Sequence, residues 1–171
     1  MIYVPVSEQE LDFPVVREAL NSIPGEYTLI TSIEYETDEP KHNQAIVRNR
    51  TKLFQKAEHE EVICSSDSRT KHLKKDNYEV MYQFLKDNPG SGAVSLNPRS
   101  KSIVGSASHR YLACYMVWEN LVKGYKFDGN YPEDSCECNR LVKHLKKQGK
   151  SFDWLEKEPG RIKKLGKYEK V

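Results

Sequence analysis

The sequence predicts an α+β fold: an antiparallel sheet with helices packed on one face, followed by a basic helical C-terminal region. Three observations predict it. The expected elements run strand, helix, strand, strand, helix, hairpin, an order that layers helices on a sheet. Apolar residues switch along the chain between a period of two and a period of 3.6. Two capping-box patterns, Ser7 to Glu10 and Asp76 to Glu79, mark helix starts. A ferredoxin-like split β-α-β start is compatible with this order.

Residues 2–6 read as a first strand. In Ser7-Glu8-Gln9-Glu10 a hydroxyl and a carboxylate can satisfy orphan N–H groups at a helix start. Leu11, Val15, Val16, Ala19, Leu20 and Ile23 follow with helical spacing. Pro14 belongs in the first turn, where its missing N–H costs little, and Pro24-Gly25 stops the helix. Residues 27–36 alternate and are rich in β-branched side chains, which predicts a strand. After a turn at 37–41, Ala45-Ile46-Val47 begins a second strand that pairs back as a hairpin partner. Leu53, Phe54 and Ala57 can line a helical turn, and residues 61–64 a further short strand.

Asp76 caps a helix through Val80, Met81, Phe84 and Leu85, ending at Asn88-Pro89-Gly90. Residues 93–96 and 102–105 flank Asn97-Pro98-Arg99-Ser100-Lys101 and predict a hairpin with a basic tip. Residues 111–122 are apolar on nearly all faces, as in a buried central helix, with Gly124 closing it. A last helix over 135–148 breaks at Gly149, and short helical pieces follow at 151–157 and 161–165. The expected organisation is therefore an α+β domain over 1–134 with a basic helical extension over 135–171 packed on it.

Composition narrows the class. At 171 residues the chain fits one domain and a tail. No stretch approaches the ~18 consecutive apolar residues of a membrane helix. The N-terminus lacks the basic and apolar regions of a signal peptide. Four cysteines, too few and too irregular for a disulfide scaffold, predict reduced thiols and a cytoplasmic protein. Charge is unevenly placed: residues 1–139 carry 16 Lys/Arg and 21 Asp/Glu, whereas 140–171 carry 11 and 4. Such asymmetry points the basic region at a polyanion or an acidic partner.

Two clusters carry candidate chemistry. Glu36 ends one expected strand, and His42 and Gln44 share a face of the next. Carboxylate, imidazole and amide oxygen together suit Mg²⁺ or Mn²⁺. Tyr82 and Lys86 lie one helical turn apart, where a tyrosine beside a metal can attack a phosphodiester and the lysine can orient the substrate. Cys136-x-Cys138 with His144 gives three of the four ligands that structural zinc wants. No P-loop, Rossmann glycine fingerprint or Ser-His-Asp pattern is present.

On Glu36, His42, Gln44, Tyr82 and Lys86 the chain resembles the single-strand nicking endonucleases that initiate rolling-circle replication. Those proteins pair a histidine motif on a sheet strand with a tyrosine and lysine on a helix. The resemblance implies metal-dependent cleavage over residues 2–90. Asn43 departs from it, because the family's middle residue is apolar.

The expectation is a nucleic-acid-associated protein, DNA- or RNA-binding, that tracks phosphates through Arg140, Lys143, Lys147, Lys163 and Lys164 and the hairpin tip at Arg99 and Lys101. The alternative is a small accessory or inhibitor protein that binds a protein partner through its acidic body. Neither involves a membrane, and the motifs leave open whether the chain is an enzyme.

Overall fold

The computed structural model describes residues 1–32, 39–96, 112–127, 137–155 and 160–166, and of residues 32, 39–46 and 137 the backbone alone. Its strands are β1 (Ile2–Ser7), β2 (Tyr27–Ser32), β3 (Val62–Ser66), β4 (Thr70–His72), β5 (Ser91–Ser95), β6 (Cys114–Trp118), β7 (Ser151–Trp154) and β8 (Ile162–Lys164). Its α-helices are α1 (Pro14–Asn21), α2 (Glu39–Lys56), α3 (Asn77–Asp87), α4 (Glu119–Val122) and α5 (Glu137–Lys147).

The main sheet has the order β2-β1-β3-β6-β5-β7, and β4 pairs with β8 in a second, two-stranded sheet. The main sheet is mixed. β1 is parallel to β2 and β3, β7 is parallel to β5, and β6 is antiparallel to β3 and β5. This corrects the expected antiparallel sheet. The reason lies at Ala45-Ile46-Val47, expected to be a strand and found inside α2. Val47, Arg50, Leu53, Phe54 and Ala57 are buried, a helical spacing that extends back from the apolar turn at 53–57. With a helix between β2 and β3, the chain crosses over and β3 enters parallel.

Helices cover both faces, not one. Tyr3, Ile63, Tyr115, Val117 and Ala93 pack with Leu53 and Phe54 of α2 and Leu141 and Leu145 of α5. On the other face Ile2, Val4 and Val6 meet Val15, Val16, Ala19 and Leu20 of α1, while Val94, Cys114 and Met116 meet Met81 and Leu85 of α3. The strands alternate between these clusters with the period of two that a pleat imposes. Each fully buried aliphatic side chain contributes roughly 1.5–3 kcal/mol.

The run at 111–122, expected to be a buried helix, supplies strand β6 and the short α4. A strand buried on both faces reads as continuously apolar, and periodicity alone does not separate it from a buried helix. The pieces at 151–157 and 161–165, expected to be helical, contain β7 and β8. Other expectations match: Ser7 and Glu10 form a capping box, here on a 3-10 turn, and Pro14 opens α1. Gly149 turns the chain after α5 with φ 72°.

One detail positions the site. β1 pairs with β2 over its whole length, but with β3 only through Ile2 and Tyr3. Pro5 lies beyond that pairing, where no ladder N–H is needed from it. β1 and β3 therefore part at their carboxyl ends. The connection through α1 runs to one side of β1 and that through α2 to the other, so this gap is the topological switch point of the sheet.

Candidate functional site at the carboxyl ends of β1 and β3

β3 ends at Ser66, and Asp67 follows it into the gap. The Asp67 N–H donates to the Ala113 carbonyl at 2.7 Å, holding the residue in line with the sheet. Its carbonyl accepts from Thr70 N–H at 3.0 Å and its Oδ1 from Arg69 N–H at 3.0 Å, a turn in which the aspartate side chain mimics backbone. β4 starts immediately after. Its antiparallel register with β8 sets Thr70 opposite Lys164 and brings Lys164 Nζ to 2.6 Å from Asp67 Oδ2.

Burial would raise the Asp67 pKa, but the opposing effects are larger together. The Lys164 charge and hydrogen bond, the Arg69 N–H and the Arg50 charge hold the carboxyl down at about 2. Burial pulls the Lys164 ammonium below its ordinary value, with Asp67 opposing it. The pair is not sealed from solvent: the two side chains are 25% and 34% exposed.

A polar chain braces this turn from behind. Arg161 donates through Nη1 to Asp76 Oδ1 at 2.7 Å and to Asn77 Oδ1 at 3.3 Å. That fixes the Asn77 amide so that Nδ2 donates to His72 Nδ1 at 3.0 Å. The imidazole proton then sits on Nε2, which donates to Ser66 Oγ at 3.0 Å. His72 is buried, and burial pushes its pKa down to about 4, so it is neutral in this network.

The residues singled out from the sequence scatter. Glu36, Arg99 and Lys101 lie outside the described residues, as does Cys136. His42 and Gln44 fall within α2 rather than on a hairpin strand. Tyr82 and Lys86 lie on α3, across the sheet from α2, with Lys86 Nζ 5.5 Å from the Tyr82 ring centre. The Tyr82 hydroxyl donates to Glu61 Oε2 at 3.2 Å, and burial together with Glu61 raises its pKa. Glu61 precedes β3, so this pair lies at the amino end of β3, away from the switch point. A cleft of about 620 Å³ there is lined in part by Glu61, Lys86, Trp118 and Glu119.

Lys143 and Lys147 lie on the exposed side of α5, whose Cys138, Leu141 and Leu145 are buried, and Arg140 is half-buried on the same helix. Lys163 is exposed on β8. His144 Nε2 lies 2.8 Å from the Leu121 carbonyl. Among the described sequence candidates, Lys164 is the one that reaches the switch point. Asp67 was missed. The signal for it was a carboxylate directly after the apolar start of a strand, Val62-Ile63-Cys64-Ser65-Ser66.

No protein-family model matches the chain, and no curated protein sequence does. Its fold is found among solved structures. A mannosyltransferase from Pyrobaculum calidifontis, solved with GDP-Man and Mn2+, is 14% identical, with a TM-score of 0.59 over 93% of this chain and 54% of that one. TarS from S. aureus, solved with UDP-GlcNAc, is 14% identical with a TM-score of 0.56 over 99% and 61%. A glycosyltransferase involved in glycosylation of the major capsid of PBCV-1 is 10% identical with a TM-score of 0.57 over 90% and 80%. The chain thus spans little more than half of the first two proteins. It has a glycosyltransferase-like α/β fold.

These likenesses overturn the nucleic-acid reading and, with it, the nicking endonuclease that the His-x-Gln resemblance implied. Two of the proteins sharing the fold were solved with nucleotide sugars. The region expected to bind phosphate backbone is built into the two sheets through β7 and β8. Among the described residues no helix is long and apolar enough to cross a membrane.

Proposed function

We propose that the chain binds a nucleotide-activated sugar with its diphosphate at the carboxyl ends of β1 and β3, and that it serves glycosyl transfer. One observation carries this reading. Charged side chains converge on Asp67 at the switch point, where open α/β sheets take their ligands. The fold supports it, because proteins that share it were solved with GDP-Man and UDP-GlcNAc.

In such a transfer the bond from the anomeric carbon to a phosphate oxygen breaks, and its electron pair leaves with the nucleoside diphosphate. An acceptor oxygen bonds to that carbon and gives up its proton. Positive groups beside the departing diphosphate stabilise the charge that develops there.

The test is a thermal-shift screen of the full chain with UDP, GDP, CDP and ADP, followed by incubation with the matching nucleotide sugars and chromatography of released nucleotide. A rise in melting temperature with one base over the others, and slow release of that nucleotide, are expected. A flat response to all four sinks the reading.

A further inference from the structure

The mannosyltransferase that shares this fold was solved with Mn2+, so the fit of a divalent ion at Asp67 is the first question. The described residues there do not fit one. Hard divalent cations gather several oxygen ligands, carboxylates prominent among them. Among the described residues, no three His, Cys, Asp or Glu side chains are grouped to hold an ion. Both Asp67 oxygens are engaged with donors: Oδ1 with the Arg69 N–H at 3.0 Å, Oδ2 with Lys164 Nζ at 2.6 Å. Charge points the same way. The field of Arg50 reaches both members of this ion pair, and that of Arg69 reaches Lys164. Among the described residues the charges that act on Asp67 are positive, a setting that disfavours a metal ion and favours an anion.

We propose that Lys164 is the protein-borne cation that receives the donor's diphosphate, filling at this site the electrostatic role of a divalent ion. The inference rests on the nucleotide-sugar reading above. Asp67 then acts as a bracket for the ammonium. Three features suit Lys164 to this. The β4–β8 register and the hydrogen bond from Leu165 N–H to the Arg69 carbonyl, 2.9 Å, fix its backbone. Its side chain is 34% exposed, so a ligand can reach it. An ammonium carries three donors, and Asp67 Oδ2 takes one.

The experiment is calorimetric titration of the full chain with UDP, GDP and inorganic pyrophosphate, in EDTA and in Mn2+. The expected result is a nucleoside diphosphate that binds in EDTA with an affinity within about threefold of its value in Mn2+. Charge-assisted hydrogen bonds are the strong ones, so Lys164→Gln should weaken that binding by at least about tenfold while Lys164→Arg keeps most of it. The comparison of EDTA with Mn2+ needs no variant, so it decides even where Lys164→Gln fails to fold. Binding that disappears in EDTA, or a folded Lys164→Gln with unchanged affinity, overturns the inference and leaves the donor reading standing. Absence of nucleotide binding in both buffers overturns the donor reading and this inference with it.

Discussion

Arg161 grips Asp76 with both guanidinium arms, Nη1 to Oδ1 at 2.7 Å and Nη2 to Oδ2 at 3.4 Å, and so ties the start of β8 to the start of α3. The two ends of this pair differ in environment: the Arg161 side chain is 10% exposed and that of Asp76 is 49%. Arg161 also satisfies the buried Asn77 carbonyl oxygen, so its loss orphans a group that the loss of Asp76 does not.

Arg161→Met should therefore destabilise the fold by roughly 2–4 kcal/mol, and Asp76→Asn clearly less. Urea denaturation of both variants checks this. Equal losses would show that the buried amide gains nothing from the guanidinium.

His72 should give stability a pH dependence of defined sign. Burial lowers its folded-state pKa to about 4 from an ordinary 6.5. The unfolded chain therefore binds the proton first, and stability falls as pH drops from 6.5 towards 4, with no further loss from this group below that. The full effect is on the order of 3 kcal/mol. His72→Gln cannot titrate and should show a flatter melting temperature between pH 7 and 4.5 than the unaltered chain. Parallel curves would contradict the assignment of a neutral buried imidazole.

Gly92 sits where β5 slips register against β7, and a Cβ there would stand 2.9 Å from Leu121 Cδ1 and 2.9 Å from Lys150 Cβ. Gly92→Ala should destabilise by about 1–3 kcal/mol through overpacking. Gly90 offers a control two residues away, since a Cβ there meets nothing within 4 Å. Thermal melts of Gly90→Ala should stay within about 0.5 kcal/mol of the unaltered chain.

Tyr82→Phe should change little. The hydroxyl meets Glu61 at an exposed position, while the ring keeps its edge contact with Trp118 at 6.2 Å. A chemical-denaturation midpoint close to that of the unaltered chain is expected, and a large drop would contradict the exposed setting of the hydroxyl.

How far the sequence could be read follows from where its signals are local. The capping box at Ser7, the proline at Pro14 and the stop at Pro24-Gly25 depend on neighbours within a turn or two, and each was legible. The helix after Asp76 forms as well, but Asp76 makes no side-chain cap, so the capping box expected there does not. β6 was not legible, because a strand between two others is apolar on both faces and carries no alternation to see. α2 was misread at Ala45-Ile46-Val47, where the packing of Val47 in the core overrode local preference. The site divides in the same way. Lys164 stood out as one of many basic residues, but its meaning depends on the distant Asp67, which only the β4–β8 register reveals.

That register has a consequence for how the molecule comes into being. Arg161 and Asp76 are 85 positions apart in the chain, and Lys164 comes later still. A ribosome releases α3 and β4 well before their β8 partner exists. During that interval Asp67 has no ammonium beside it, and Asn77 and His72 lack their guanidinium anchor. Contacts so distant along the chain form slowly, because closing a long loop must precede any gain from them. The main sheet can begin to gather during synthesis, but the corner at Asp67 waits for β8, so a product interrupted before β8 would fold in part and leave Asp67 without its ammonium.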